Sequence, residues 1–253
     1  MGGLSHYLER AGFATAGISL IRLHSEKIQP PRALWVPFEL GRPLGVPHDA
    51  VFQARVFQKL IDLFDYSEGP VLADYPEDAP VSGANNMDGL VCPVQFDASN
   101  TGDETLEMAV IREISELLPW YDLAFKRRKR TTVGVTGLEI EEVARTLAKW
   151  LTTSPPEGAV NSHTPAAMLK LAVEDLRAFY FEATAGQPQG DSISSKQLDD
   201  WFWGETSAAK LLLALRERLI PDEDPALRML GHNSVVPREQ WTRFGIDDRW
   251  WKD

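Results

Sequence analysis

The chain of 253 residues carries a single cysteine, Cys92. One thiol cannot close an intramolecular disulfide, and a cysteine-built zinc cluster needs several. No apolar run approaches the roughly 18 residues that a membrane-spanning helix requires. The first residues lack the basic, apolar and small-residue succession of a secretory signal. Cytoplasmic residence is therefore expected, with no membrane partner. No P-loop, GxGxxG, HExxH or GxSxG occurs, which disfavours the corresponding nucleotide, zinc-protease and esterase chemistries. Internal repeats and low-complexity stretches are missing as well. Positive charge is in deficit, 26 Lys and Arg against 37 Asp and Glu, for a net charge of −11. Such a surface repels phosphate backbones, so no nucleic-acid partner is expected. The one dense basic run, Lys126-Arg127-Arg128-Lys129-Arg130, reads as the solvated C-terminal end of a helix, where positive charge suits the dipole.

What is present is an ordinary globular balance, 43% hydrophobic and 25% charged residues. Leu4, Tyr7 and Leu8 recur at helical spacing before Gly12, a C-cap glycine, and predict a helix over 2–10. The apolar run 13–21 predicts a buried strand, 26–32 a proline-bearing loop, and 33–38 a second strand. A glycine/proline loop, 41–47, leads to a helix over about 48–64 with Asp49 as N-cap. Short strands are expected at 71–73 and 90–96. A helix begins at 104, a strand is expected at 131–136 (TTVGVT), and a helix at 138–151. After the linker-like break SPPEG, the pattern is helical: 165–185, then a segment from Ser194 or Ser195 carrying Trp201, then 206–219 capped by Thr206. Trp201 reads as core, Trp250 and Trp251 as an oligomer interface. The expected architecture is an α/β domain over 1–153, of Rossmann-like or flavodoxin-like three-layer type, followed by an α-helical lobe over 154–253.

Several residues are candidates for chemistry. Gly2, Gly3 and Ser5 stand at a helix N-terminus, which suits an anion or simply starts a helix. His6 and Glu9 lie three apart on one face, as an acid–base pair or a solvated contact. Arg22, Arg32 and Arg42 flank strand ends and the loop containing Gly41 and Gly45, where α/β folds place ligands and where arginine suits a carboxylate. Glu39, just before that loop, is the candidate general base. Cys92 is either a buried small residue or a nucleophilic thiol. No metal set and no particular cofactor is indicated.

One stretch carries more than local pattern. Glu9, Gly12 and Phe13, then Arg32 with Val36 and Pro37, then Leu40-Gly41-Arg42-Pro43 and Leu44-Gly45-Val46-Pro47 follow one another in a distinctive order. Over roughly residues 1–65 the chain resembles the selenoprotein B subunit of the glycine/betaine/sarcosine/D-proline reductases. The resemblance implies a reductase-like enzyme or subunit acting on a small amino-acid-like or carboxylate substrate. In that family a selenocysteine or cysteine just before the helix matching 2–10 performs the reductive cleavage. A helix N-terminus stabilises such an anion. No cysteine stands there in this chain. Three alternatives follow: a non-redox descendant, a second subunit carrying the redox Cys or Sec, or a start upstream of an unread selenocysteine codon. Homo- or hetero-oligomers are expected. A non-catalytic subunit of a heteromeric complex and a small-molecule binding protein are the other function classes.

Overall fold

A computed structural model describes residues 2–79, 94, 96, 104–153, 163–188, 193 and 195–246. The chain is α/β, with helices in the majority and one small three-stranded parallel sheet. It forms two compact units, Met1–Met87 and Asp88–Asp253. The division falls at 87/88, not at 153/154, because the helices over 106–152 pack against the later helices. Cys92, Trp250, Trp251 and most of the expected strand 90–96 lie outside the described residues.

In the first unit, α1 (Gly2–Arg10) precedes β1 (Gly17–Ser19). A short α2 (Arg22–Ile28) leads to β2 (Arg32–Trp35), and α3 (Ala50–Ile61) with a following 3-10 turn leads to β3 (Val71–Asp74). The strands run parallel in the order β1-β2-β3. Side chains alternate across a strand, and the alternation sorts the sheet into two faces. Ile18, Leu34, Val71 and Ala73 face a core with Phe52 and Val56 of α3. The rings of Phe38, Phe52 and Tyr75 meet there with centroids 5.6 to 6.0 Å apart and tilted or edge-on, the favoured geometry for aromatic quadrupoles. Asp49 caps α3, accepting the Phe52 N–H at 2.9 Å. The opposite face carries Gly17 and Ala33, paired across β1 and β2. The segment Arg22–Ile28 is a helix that runs into the loop expected over 26–32. It ends at Gln29 in the left-handed region, φ 49°.

The second unit is a helical bundle of α4 (Leu106–Arg128), α5 (Ile140–Thr152), α6 (Pro165–Thr184), α7 (Ser195–Glu205), α8 (Ser207–Leu219) and α9 (Pro225–Asn233). The apolar spacing of α5, Val143, Ala144, Leu147 and Trp150, places all four in the shared core. Thr105, Thr164 and Thr206 cap α4, α6 and α8 through their hydroxyls. α4 continues through Pro119 to Arg128, and the basic run closes it in solvent. α9, within a stretch whose composition is polar, buries Leu227. Trp201, Trp203 and Trp241 are all core residues.

The expected strand at 131–136 is absent, and the reason is electrostatic. Asp175 of α6 is fully buried and accepts the backbone N–H groups of Gly134, Val135 and Thr136 at 2.7, 3.1 and 3.0 Å. It also accepts the Thr136 hydroxyl at 2.6 Å. Two turns further along α6, Glu182 accepts the Thr132 N–H and hydroxyl and the Thr131 hydroxyl. Two carboxylates on one helix face thus take the hydrogen bonds that a strand would have given to a neighbour.

Candidate functional site

The site-forming feature is a cavity of about 270 Å³ in the first unit, on the sheet face opposite the aromatic core. Its origin is legible in the strands. Gly17 and Ala33 are register partners, so adjacent positions offer almost no side-chain volume. A Cβ built on Gly17 meets nothing within 4 Å. α2 and the first turn of α1 cover this floor without filling it. Ile21, Ile28 and Leu40 form apolar walls, and Ser5, Ser19, Ser25 and His24 supply polar groups. The cavity lies beside the carboxyl end of β1, the edge of a parallel sheet where ligands bind. Its volume falls just short of the roughly 300–1,000 Å³ usual for drug-sized ligands.

Two of the seven expected binding residues in this unit, Ser5 and Arg32, lie on the cavity wall. Arg32 is buried and much of its guanidinium is engaged. Nε and Nη2 donate to the Tyr66 carbonyl at 3.1 and 2.8 Å, and Nη1 donates to Glu9 Oε1 at 2.8 Å. Glu9 Oε1 also accepts the Thr15 N–H at 2.6 Å and hydroxyl at 2.9 Å. The Thr15 N–H, helped by Arg32, holds the Glu9 carboxyl below its ordinary range. His6 and Glu9 are therefore not an acid–base pair: His6 Nε2 is spent on the Ile28 carbonyl at 3.1 Å, tying α1 to α2.

The remaining expected residues have other employment. Arg22 pairs with Asp74 at 3.1 Å and with Glu26, joining the start of α2 to the end of β3 in solvent. Arg42 pairs with Glu39 at 3.4 Å across an exposed turn. Neither lines the cavity, so the expected general base stands outside it. Gly41 and Gly45 hold φ of 88° and 85°, and a Cβ on Gly45 would stand 2.5 Å from the Phe52 ring. That glycine is required by backbone conformation and packing. His24, the acid–base group that does line the cavity, is missed because its side chain reaches the site only through the helical turn of α2.

A second cavity, of about 280 Å³, lies in the helical bundle beside the start of α8. Several of its polar groups already serve structural bonds. Arg112 holds Glu104 and Glu116. Glu113 accepts the Ser207 N–H at 2.6 Å, and the Tyr180 hydroxyl donates to it at 2.8 Å. Burial pushes the Glu113 carboxyl up and the Tyr180 phenol well up. This is a helix cap built from a neighbouring helix. Among the described residues no group of three or more His, Cys, Asp and Glu side chains gathers to hold a metal ion.

Fold and site together define an α/β unit with a small cavity at its parallel sheet, accompanied by a helical bundle. Neither family models, nor curated proteins, nor solved structures give a match to this chain. No helix among the described residues is long and apolar enough to cross a membrane.

Proposed function

We propose that the first unit is a reductase-B-like, Rossmann-like half-domain that binds a small carboxylate or amino-acid-like substrate, with the redox nucleophile supplied by a partner chain in the cytoplasm. The single observation that carries the reading is the position of the cavity. Gly2 and Ser5 of α1 stand on its wall, so a nucleophile presented at the N-terminus of α1, where the resembling family has its own, would face the bound molecule. Arg32, a residue of the resembling pattern, stands on the same wall and braces it through Glu9. Among the described residues of the wall, His24 is the one side chain suited to proton transfer near neutral pH. Glu39 is set aside as the base because it is turned to Arg42.

The test is a panel titration of the isotopically labelled full chain with glycine, sarcosine, betaine, D-proline, valine, acetate and 3-methylbutanoate, followed by amide NMR. Shifts centred on Gly17, Ser19 and Ser25 support the reading. A panel that leaves all three amides unmoved defeats it.

A second reading, a non-catalytic subunit of a heteromeric complex, has its own observation. α1 buries none of its residues, and Leu4, Tyr7 and Phe13 are 59%, 69% and 63% exposed. Apolar side chains grouped in this way mark surfaces that meet other proteins. Native mass spectrometry of the chain recovered from its own cells distinguishes the two, since a subunit returns with a stoichiometric partner.

A further inference from the structure

We infer that the cavity of the first unit takes an aliphatic monocarboxylate and discriminates against the matching α-amino acid. The inference rests on the proposed reading of this cavity as a ligand site but not on its redox part, since an aliphatic acid without an amine offers no C–N bond to cleave reductively.

The shape and polarity of the wall carry the argument. The Gly17/Ala33 floor and the side chains of Ile21, Ile28 and Leu40 offer apolar surface to a short hydrocarbon body. Burying such a body stabilises the complex by roughly 25 cal/mol per Å² of apolar surface removed from water. The polar groups gather as donors. The hydroxyls of Ser5 and Ser25 and the imidazole of His24 have no side-chain partner among the described residues. The first turn of α1 stands beside them with the free N–H groups of a helix start.

Charge decides between the two ligand classes. No aspartate or glutamate lines the cavity among the described residues, and Arg32, which does, has its charge paired with Glu9. An α-ammonium entering this space would shed its water and find no carboxylate to replace it, which is costly. A carboxylate meets hydroxyls, imidazole and helix N–H groups instead. A dianion gains little more, because the Arg32 charge is balanced by Glu9 at 2.8 Å. One negative charge on an aliphatic body is the complement of this wall.

The experiment compares 3-methylbutanoate with valine, which differ only by the α-ammonium. Calorimetric titration of the full chain is expected to give binding of 3-methylbutanoate at least about tenfold tighter than valine. NMR shifts for the bound acid should centre on Gly17, Ser19 and Ser25. The Gly17→Leu variant, whose side chain enters the void, should lose the binding while keeping its circular dichroism and thermal transition. Valine binding as tightly as 3-methylbutanoate overturns the inference but leaves the ligand site standing. So does a panel in which only other members shift the cavity amides. Shifts centred elsewhere, or undiminished binding to folded Gly17→Leu protein, also overturn it. Should that variant not fold, the wild-type shift map alone decides. A panel with no binder at all removes both this inference and the reading beneath it.

Discussion

Arg32 Nη1 donates to Glu9 Oε1 at 2.8 Å, across twenty-three positions of chain and from the first residue of β2 to the last turn of α1. Glu9 closes the other side of the clamp on Thr15, so α1 is tied to the sheet by one carboxylate rather than by a buried apolar stripe. The Glu9 carboxyl lies below its ordinary range in the folded chain. Its contribution is therefore present above the unfolded value and lost as pH falls through the folded one. The protection of the Thr15 amide, its exchange rate relative to the intrinsic rate at the same pH, should be high at neutral pH and fall under acid conditions. In Glu9→Gln protein that protection should be low at both. Equal protection in the two proteins at neutral pH would show that the clamp does not hold α1.

Asp175 should be the most sensitive polar position in the bundle. It is buried and satisfies three backbone N–H groups and a hydroxyl of the loop 134–136. Bonds to a charged acceptor contribute about 1.5–3 kcal/mol each, and leaving buried donors bare adds to the loss. Asp175→Ala is expected to cost about 3 kcal/mol or more in urea unfolding. Glu182→Ala, half-buried on the same face, should cost less, about 1 kcal/mol. Comparable losses at the two positions would contradict the buried-anchor account.

The contrast between these carboxylates explains what could be read from the chain and what could not. Helices announced themselves through apolar spacing and caps: the Asp49 and Thr206 caps and the helix expected over 138–151 reappear in place. The strand expected at 131–136 failed because its hydrogen-bond acceptors stand some forty to fifty positions away on α6. Arg22 and Arg32 looked like ligand groups for the same kind of reason. Their partners, Asp74 and Glu9, are distant in sequence and adjacent in space. The cavity itself had a faint signal, a glycine on the alternate positions of β1 and an alanine on those of β2. Recognising it required the register that pairs Gly17 with Ala33. Composition carries no register, and a two-residue slip would have set either residue against a different neighbour.

Glu113 should give the stability of the bundle an unusual pH slope. Burial holds its carboxyl above the ordinary range, so the folded chain binds that proton more tightly than the unfolded chain does. The contribution is fully present below the unfolded value and declines as pH rises through the folded one. Glu113→Gln should remove this decline and equal or exceed the wild-type stability near neutral pH. Its carbonyl can still take the Ser207 N–H, and the Tyr180 hydroxyl can turn to accept. Glu113→Ala should cost about 3 kcal/mol, because the start of α8 loses its acceptor. Denaturant titrations of the three proteins across mildly acidic to neutral pH provide the check. An unchanged slope in Glu113→Gln would assign it to another group.

Arg177 offers the opposite case, a charge whose removal should be nearly free. Its guanidinium lies over the rings of Phe181 and Trp203, at 5.7 and 5.8 Å from their centroids. Its Nε is buried and finds no acceptor among the described residues. Burial lowers its pKa, against the opposing pull of Asp199, Glu239 and Glu174. Contact with two aromatic faces contributes about 1–2 kcal/mol, and desolvating an incompletely bonded cation costs a similar amount. Methionine preserves length and adds a polarisable sulfur against the same rings. Arg177→Met should therefore shift unfolding by less than about 1 kcal/mol in either direction. Arg177→Ala strips the packing from both rings and should cost about 2 kcal/mol. If methionine proves as damaging as alanine, the charge itself stabilises this corner of the bundle, and the three carboxylates around it outweigh its lost water.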